Sequence, residues 1–314
     1  MRISSRKSIL TLLILCILCL SACGDKSTVP EGYNEDGTPT KTTKGKWDNT
    51  SVVLEPAASG TETVSCDVAT IDYSNAAEGY IMVTYTGSVD KVKLQITGSD
   101  EVTYTYNLRG NGYEVFPLTS GSGSYLVGVY ENTQDTMYST ALSTEITAEI
   151  TNEFGPYLYP NQYVDFDSDS KTVDYAATLA YSADTDLEVV QNVYNYIITN
   201  FTYDYDKASS VQSGYLPVVD TIFRTQTGIC FDYAAVMATM LRSQSIPTRL
   251  EVGYMGEEYH AWISTYIENM GWVNGIIQFD GKDWTLMDPT FASTSSSPSS
   301  FTTEDAKYIT KYVY

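Results

Sequence analysis

Apolar positions between residues 51 and about 150 fall in short runs separated by turn residues. Segments 80–86, 89–97, 102–108 and 123–130 are rich in β-branched and aromatic side chains, the residues that suit a pleated, half-buried surface. Gly87-Ser88, Gly98-Ser99-Asp100 and Gly110-Asn111-Gly112 punctuate them. Short strands at roughly ten-residue spacing with such turns predict a small β-sandwich over residues 51–152. The tyrosines of this block fit either of two roles, a sugar-binding face or strand packing by a ring with a polar tip.

Pro156 and Pro160 then break the chain, and the pattern beyond them changes. Two helices are expected, the second opened by the capping box Thr185-x-x-Glu188. Val189, Val193, Tyr196 and Ile197 share one face of that helix. Gly228 marks a turn into a helix from about residue 230 to 242, where Ala234, Ala235, Met237, Ala238 and Leu241 supply a close-packing face. Ser245-Ile246-Pro247 ends it. Strands are expected at 248–253, 260–266 and 284–287, with Asp280-Gly281 as a hairpin turn before the last. Residues 155–314 therefore read as an α+β block following an all-β one.

The N-terminus changes the picture of where the protein sits. Arg2, Arg6 and Lys7 precede an apolar run at 9–20, too short to span a bilayer as a helix and fitting a signal-peptide core over residues 1–22. The run ends in Leu20-Ser21-Ala22-Cys23-Gly24, which resembles the lipobox of bacterial lipoproteins. That resemblance implies cleavage before Cys23, its lipidation, and a place on the outer face of a bacterial membrane. Residues 23–50 are poor in apolar side chains and read as a flexible tether.

The formal net charge is −21, and the leader contributes only basic groups. Such a surface repels phosphate backbones, which argues against nucleic acid as a partner. It leaves the bilayer to be met through the anchor alone. Of five cysteines, only Cys66 and Cys230 lie beyond Cys23, so neither a disulfide framework nor zinc-ligand spacing is present. Asp165-Phe166-Asp167-Ser168-Asp169 mimics the start of a calcium loop, but Ser170 and Ala176 stand where Gly and Glu belong. It reads as a solvated acidic turn.

His260 is the one histidine in 314 residues, within Tyr259-His260-Ala261-Trp262. Gly228-Ile229-Cys230 lies upstream and Met287-Asp288-Pro289-Thr290 downstream. A thiol nucleophile, its base and the group orienting that base are the chemistry that Cys230, His260 and Asp288 can supply. A helix beginning at Cys230 sets the sulfur against unpaired backbone N–H groups and the positive end of the dipole, which favour thiolate. The Cys230 amide is the natural first donor to an oxyanion. Asp280 and Asp283 compete with Asp288, but one belongs to a turn and the other precedes a strand.

Gly228-x-Cys230-x-x-x-Ala234, His260-Ala261-Trp262 and Asp288-Pro289-Thr290 resemble, in order and spacing, the three blocks of the transglutaminase-like superfamily. Asn200-Phe201-Thr202-Tyr203-Asp204 is similar to the helix-end motif that precedes its cysteine block. The resemblance covers roughly residues 155–314. It implies a papain-like transglutaminase core with nucleophile Cys230, base His260 and third member Asp288, working without cofactor or metal on a protein or peptide, cell-wall peptide included. Phe291 departs from the family's usual Trp, and residues 268–279 lengthen the connection from His to Asp. Tyr203 is the candidate second oxyanion donor. A non-catalytic surface binding or wall-organising protein is the competing reading.

If Cys23 is the anchor, Cys23→Ser is expected to leave the precursor unprocessed or release the protein. Fractionation with N-terminal mass spectrometry checks this; wild-type protein wholly in the medium with an unmodified N-terminus would sink it.

Overall fold

The computed structural model describes residues 30–110, 112–274, 276–279, 284–287 and 308–314. The expected signal peptide, residues 1–22, and Cys23 lie outside them.

The β block contains eight strands: β1 (Thr63–Ser65), β2 (Ala69–Asp72), β3 (Tyr80–Tyr85), β4 (Val92–Thr97), β5 (Thr103–Leu108), β6 (Glu114–Pro117), β7 (Gly123–Gln134) and β8 (Met137–Ala148). They form two four-stranded sheets, β1-β2-β3-β6 and β5-β4-β7-β8. Every pairing in them is antiparallel. Burial alternates along β4 and β5, as a half-buried strand requires. Ile71, Ile81, Val83 and Phe116 of one sheet share a core with Leu94, Ile96, Val127 and Val129 of the other. Tyr80, Tyr85, Tyr104, Tyr106 and Tyr125 are buried within this block, so these tyrosines serve packing.

The second block begins with α1 (Lys171–Ala180) and α2 (Asp186–Asn200), then β9 (Thr202–Tyr203), α3 (Tyr205–Ser210), α4 (Val219–Thr225), β10 (Thr227–Gly228) and α5 (Cys230–Arg242). At the start of α2 the Thr185 hydroxyl accepts from the Glu188 N–H at 3.2 Å. The Glu188 carboxylate reaches one residue beyond the expected target, to the Asp184 N–H at 2.7 Å. Val189, Val193, Tyr196 and Ile197 are buried together, as their spacing predicts.

Five strands follow through the rest of the described chain: β11 (Thr248–Met255), β12 (Glu258–Ile267), β13 (Gly271–Asn274), β14 (Ile276–Phe279) and β15 (Trp284–Met287); β16 (Tyr308–Val313) closes it. The sheet order is β13-β12-β11-β16. The long connection from His to Asp supplies β13, through a tight turn with Asn269 and Gly271 at positive φ. β14 and β15 pair with each other, Phe279 opposite Trp284, and the expected Asp280-Gly281 turn lies outside the described residues. Among the described residues β13, not β15, is the hydrogen-bonded neighbour of the strand bearing His260 on that edge.

Residues 32–50 are docked, where a tether was expected. The Gly45 and Trp47 N–H groups donate to the Tyr181 and Ala183 carbonyls at 2.9 and 3.0 Å. Asn49 Nδ2 donates to the Ala177 carbonyl, and Lys41 pairs with Asp184. Gly45 is needed here for space, since a Cβ would lie 1.8 Å from the Ala183 oxygen. Few apolar side chains are required when the strap is held by its backbone.

The change of architecture near residue 152 is not a gap in the core. Residues 32–314 form one compact unit, and Gly155, Pro156 and Tyr157 of the connection are buried. Tyr104 and Tyr106 of β5 meet Tyr314 edge-on at centroid distances of 5.6 and 6.0 Å. The Arg242 guanidinium, 1 % exposed, donates to the carbonyls of Thr248, Tyr159 and Tyr314. It thereby ties the end of α5 to both β11 and the connection.

A fragment comprising residues 155–314 is therefore expected to be less stable than residues 32–314 by about 3 kcal/mol or more, the scale of losing buried aromatic contacts. Urea unfolding followed by tryptophan fluorescence measures it. Equal unfolding free energies would show the two blocks to be energetically independent.

Candidate functional site

Gly228 to Cys230 is held by a closed circuit of local bonds. β9 and β10 pair in parallel, with Tyr203 opposite Gly228. The Asp204 N–H donates to the Gly228 carbonyl at 2.9 Å. The Asp204 carboxylate caps α3 by accepting the Lys207 N–H at 2.9 Å. The helix-end motif around Tyr203 is thus bonded directly to the turn that presents the cysteine.

Cys230 is the first residue of α5, half-buried and unbonded to Cys66. Isoleucine at the N-cap has no side-chain acceptor, so Ile229 cannot cap the helix in the usual way. Asp232, at the third helical position, instead turns its carboxylate back to the Ile229 N–H at 2.9 Å. The chain gives it room by having no Cβ at residue 228, where one would stand 2.6 Å from the Asp232 Cβ and 2.8 Å from Oδ2.

The Asp232 carboxylate is fully buried. Lys207 Nζ approaches it at 2.5 Å and the Tyr215 hydroxyl donates to it at 2.6 Å. Burial, and then the Asp232 carboxylate, push the Tyr215 phenol well above its ordinary value, so it remains a donor. Reading the sequence for chemistry did not assign Asp232, Lys207 or Tyr215. The one local signal was an acidic residue three positions after an N-cap that lacks its own acceptor.

His260 is on β12, buried, and opposite Gly253 of β11. β16 shifts register beside Gly253, where a Cβ would come within 2.0 Å of the Ile309 oxygen. Residues i and i+2 of a strand share a face, and the imidazole stacks with Trp262 at a centroid distance of 6.4 Å and 21°. Trp262 is in turn held edge-on by Tyr308 at 4.9 Å. The tryptophan of His260-Ala261-Trp262 therefore stands beside the histidine ring on the same strand face.

Helix α5 packs on β11 and β12, so the elements carrying Cys230 and His260 are direct neighbours. Tyr203 is half-buried, 5.0 Å from the Tyr205 ring and 6.3 Å from Tyr233 between centroids. It joins the cysteine turn through the short parallel ladder. Asp288, Asp280 and Asp283 lie outside the described residues.

Residues 173–275 match the transglutaminase-like superfamily. The match includes Cys230 and His260 and stops short of Asp288. This part of the chain is a transglutaminase-like domain, and that superfamily is the setting of cysteine-based acyl transfer in general. An uncharacterized protein of Bacillus subtilis, YebA, is 26% identical over 151 residues, covering 42% of this chain and 19% of its own length. A protein-glutamine gamma-glutamyltransferase of Pseudomonas aeruginosa is 34% identical over 71 residues, 18% of this chain and 11% of its own. The chain thus spans a fifth or less of either relative. Among solved structures, red sea bream transglutaminase aligns at 13% identity and TM-score 0.29, over 69% of this chain and 48% of that one.

Gly228→Ala is expected to cost about 2 kcal/mol, the scale of overpacking a filled site. On an Asp232→Ala background the added cost is expected to shrink to under about 0.5 kcal/mol, since the clashing group is gone. Urea midpoints of the four proteins measure this coupling, and additive penalties would refute the steric account.

Proposed function

We propose that the protein is a surface-anchored thiol acyl-transfer enzyme acting on peptide or side-chain amides through Cys230, His260 and Asp288. The observation that carries this reading is the position of Cys230: first residue of a helix packed on the strand that bears the chain's one histidine. Cys230 attacks the amide carbonyl as thiolate, with His260 as its base. His260 then protonates the leaving amine, and the acyl-enzyme passes to water or a second amine. Asp288 holds the imidazole in the working tautomer and stabilises the imidazolium. The Cys230 N–H donates to the developing oxyanion, with Tyr203 as second donor.

The substrate is a protein or peptide at the outer surface of a bacterial membrane, cell-wall peptide among the choices, with lipidated Cys23 as the anchor. Residues 173–275 support the acyl-transfer class. Both water and an amine fit the same triad, so the acceptor decides between protease or amidase and transglutaminase.

Incubation of the chain from residue 24 onward with peptides and a labelled primary amine, read by mass spectrometry, separates cleavage, deamidation and cross-linking. Cys230→Ala and His260→Ala are each expected to reduce turnover to background, about 10⁴-fold or more, with no further loss when combined. Asp288→Ala is expected to keep more activity than either, and Asp280→Ala and Asp283→Ala close to all of it. Tyr203→Phe is expected to lose about 10²-fold in kcat, the effect of removing one oxyanion donor. Undiminished activity in Cys230→Ala would overturn Cys230 as the nucleophile, and no activity of the wild type on any substrate would return the protein to a binding role.

A further inference from the structure

Asp232 poses a problem for the chemistry just described. Its carboxylate is buried two residues from Cys230, and a nearby like charge disfavours a thiolate. Yet it is the group that satisfies the Ile229 N–H in place of an N-cap side chain. Geometry requires the carboxylate, yet unpaired it would set a bare negative charge at the turn that presents the sulfur.

Lys207 resolves this conflict. Its ammonium contacts Asp232 Oδ2 at 2.5 Å and the Tyr215 hydroxyl oxygen at 2.6 Å. It also lies 4.3 Å from the centroid of the Tyr215 ring. The hydroxyl donates to the other carboxylate oxygen. All three groups come from different elements: α3, the segment after it, and α5. Lys207 is a quarter exposed, while its partner is fully buried, so the ion pair closes the turn from the solvent side. The Asp204 cap fixes the backbone of Lys207, and Asp204 is itself bonded to Gly228. The ammonium is therefore held against the same turn that it neutralises.

We propose that Lys207 and Tyr215 are positioning residues for the Cys230 nucleophile, Lys207 by cancelling the charge of Asp232 and Tyr215 by fixing its carboxylate. This rests on the reading of Cys230 as nucleophile. Neither residue touches substrate; both act through Asp232.

The test is the rate of iodoacetamide alkylation of Cys230 at neutral pH, followed by mass spectrometry with Cys66 as internal reference. Lys207→Met is expected to slow Cys230 about tenfold through the uncompensated carboxylate, leaving Cys66 unchanged. Lys207→Arg is expected to retain most of the rate. Lys207→Met with Asp232→Asn is expected to recover it to within about threefold, because the opposing charge has gone with its partner. A wild-type rate in Lys207→Met, or a double variant as slow as the single, would overturn the charge role.

If Lys207→Met does not fold, Tyr215→Phe removes one donor to Asp232 and keeps both charges. It is expected to slow alkylation about threefold, and a wild-type rate there would overturn the positioning role. The alkylation comparison needs no substrate. Failure of the enzyme reading is seen separately, as activity that survives Cys230→Ala.

Discussion

A helix buried from its third residue to its last cannot leave the charges at those ends to water, and that constraint organises this structure around α5. Every residue from Asp232 to Arg242 is buried. Buried charges cost several kcal/mol each unless they are paired and hydrogen-bonded, yet each end of this stretch has one. Asp232 at the front meets an ammonium, a phenol and a backbone N–H. Arg242 at the back meets three carbonyls. Desolvation pulls the Arg242 guanidinium down to about 9, which still leaves it cationic at neutral pH. Between these two fixed points the helix has little freedom to slide or rotate, so the placement of its first residue is set by both.

What the sequence made legible was local. The bounds of α5, the capping residues of α2 and the strands on either side of His260 are written in runs of adjacent residues. Period, cap and turn chemistry act over four or five positions. The partners of the buried charges are not local. Lys207 is 25 positions from Asp232, and Arg242 reaches 83 positions back to Tyr159 and 72 forward to Tyr314. The strap at residues 32–50 escaped notice for a related reason. Its composition is that of a linker, and composition does not register a segment held through backbone N–H groups. The β13 strand was hidden in a stretch that looked like a long connection.

The tyrosines show a third kind of ambiguity, resolved only by packing. Their rings fit a sugar-binding face or a core equally well on paper. In the structure Tyr104, Tyr106, Tyr163, Tyr312 and Tyr314 form a ring cluster joining β5 to the last strand. Desolvation pushes the Tyr163 phenol up to about 12 and raises those of Tyr104 and Tyr314. These three remain neutral at physiological pH, apolar in body with a polar tip. The Tyr104 hydroxyl uses that tip to accept the Val313 N–H at 3.3 Å. Tyr104 and Tyr106, two of the β-block tyrosines that fitted either role in sequence, therefore pack against tyrosines of the second block.

The choice of Ile229 ahead of Cys230 follows from the same logic at a smaller scale. A serine or aspartate at that position would cap α5 and stabilise it by about 1 kcal/mol. Its side-chain oxygen would do so by accepting the N–H of the second or third helical residue, Phe231 or Asp232. Isoleucine makes no such claim. The carboxylate is moved three positions on, to Asp232, where it serves the Ile229 N–H and leaves the first-turn donors uncontested by any N-cap side chain. That displacement puts a buried charge two residues from Cys230 and so calls for Lys207. Burying Asp232 and recruiting a distant lysine are then two consequences of placing an isoleucine at the N-cap of one helix.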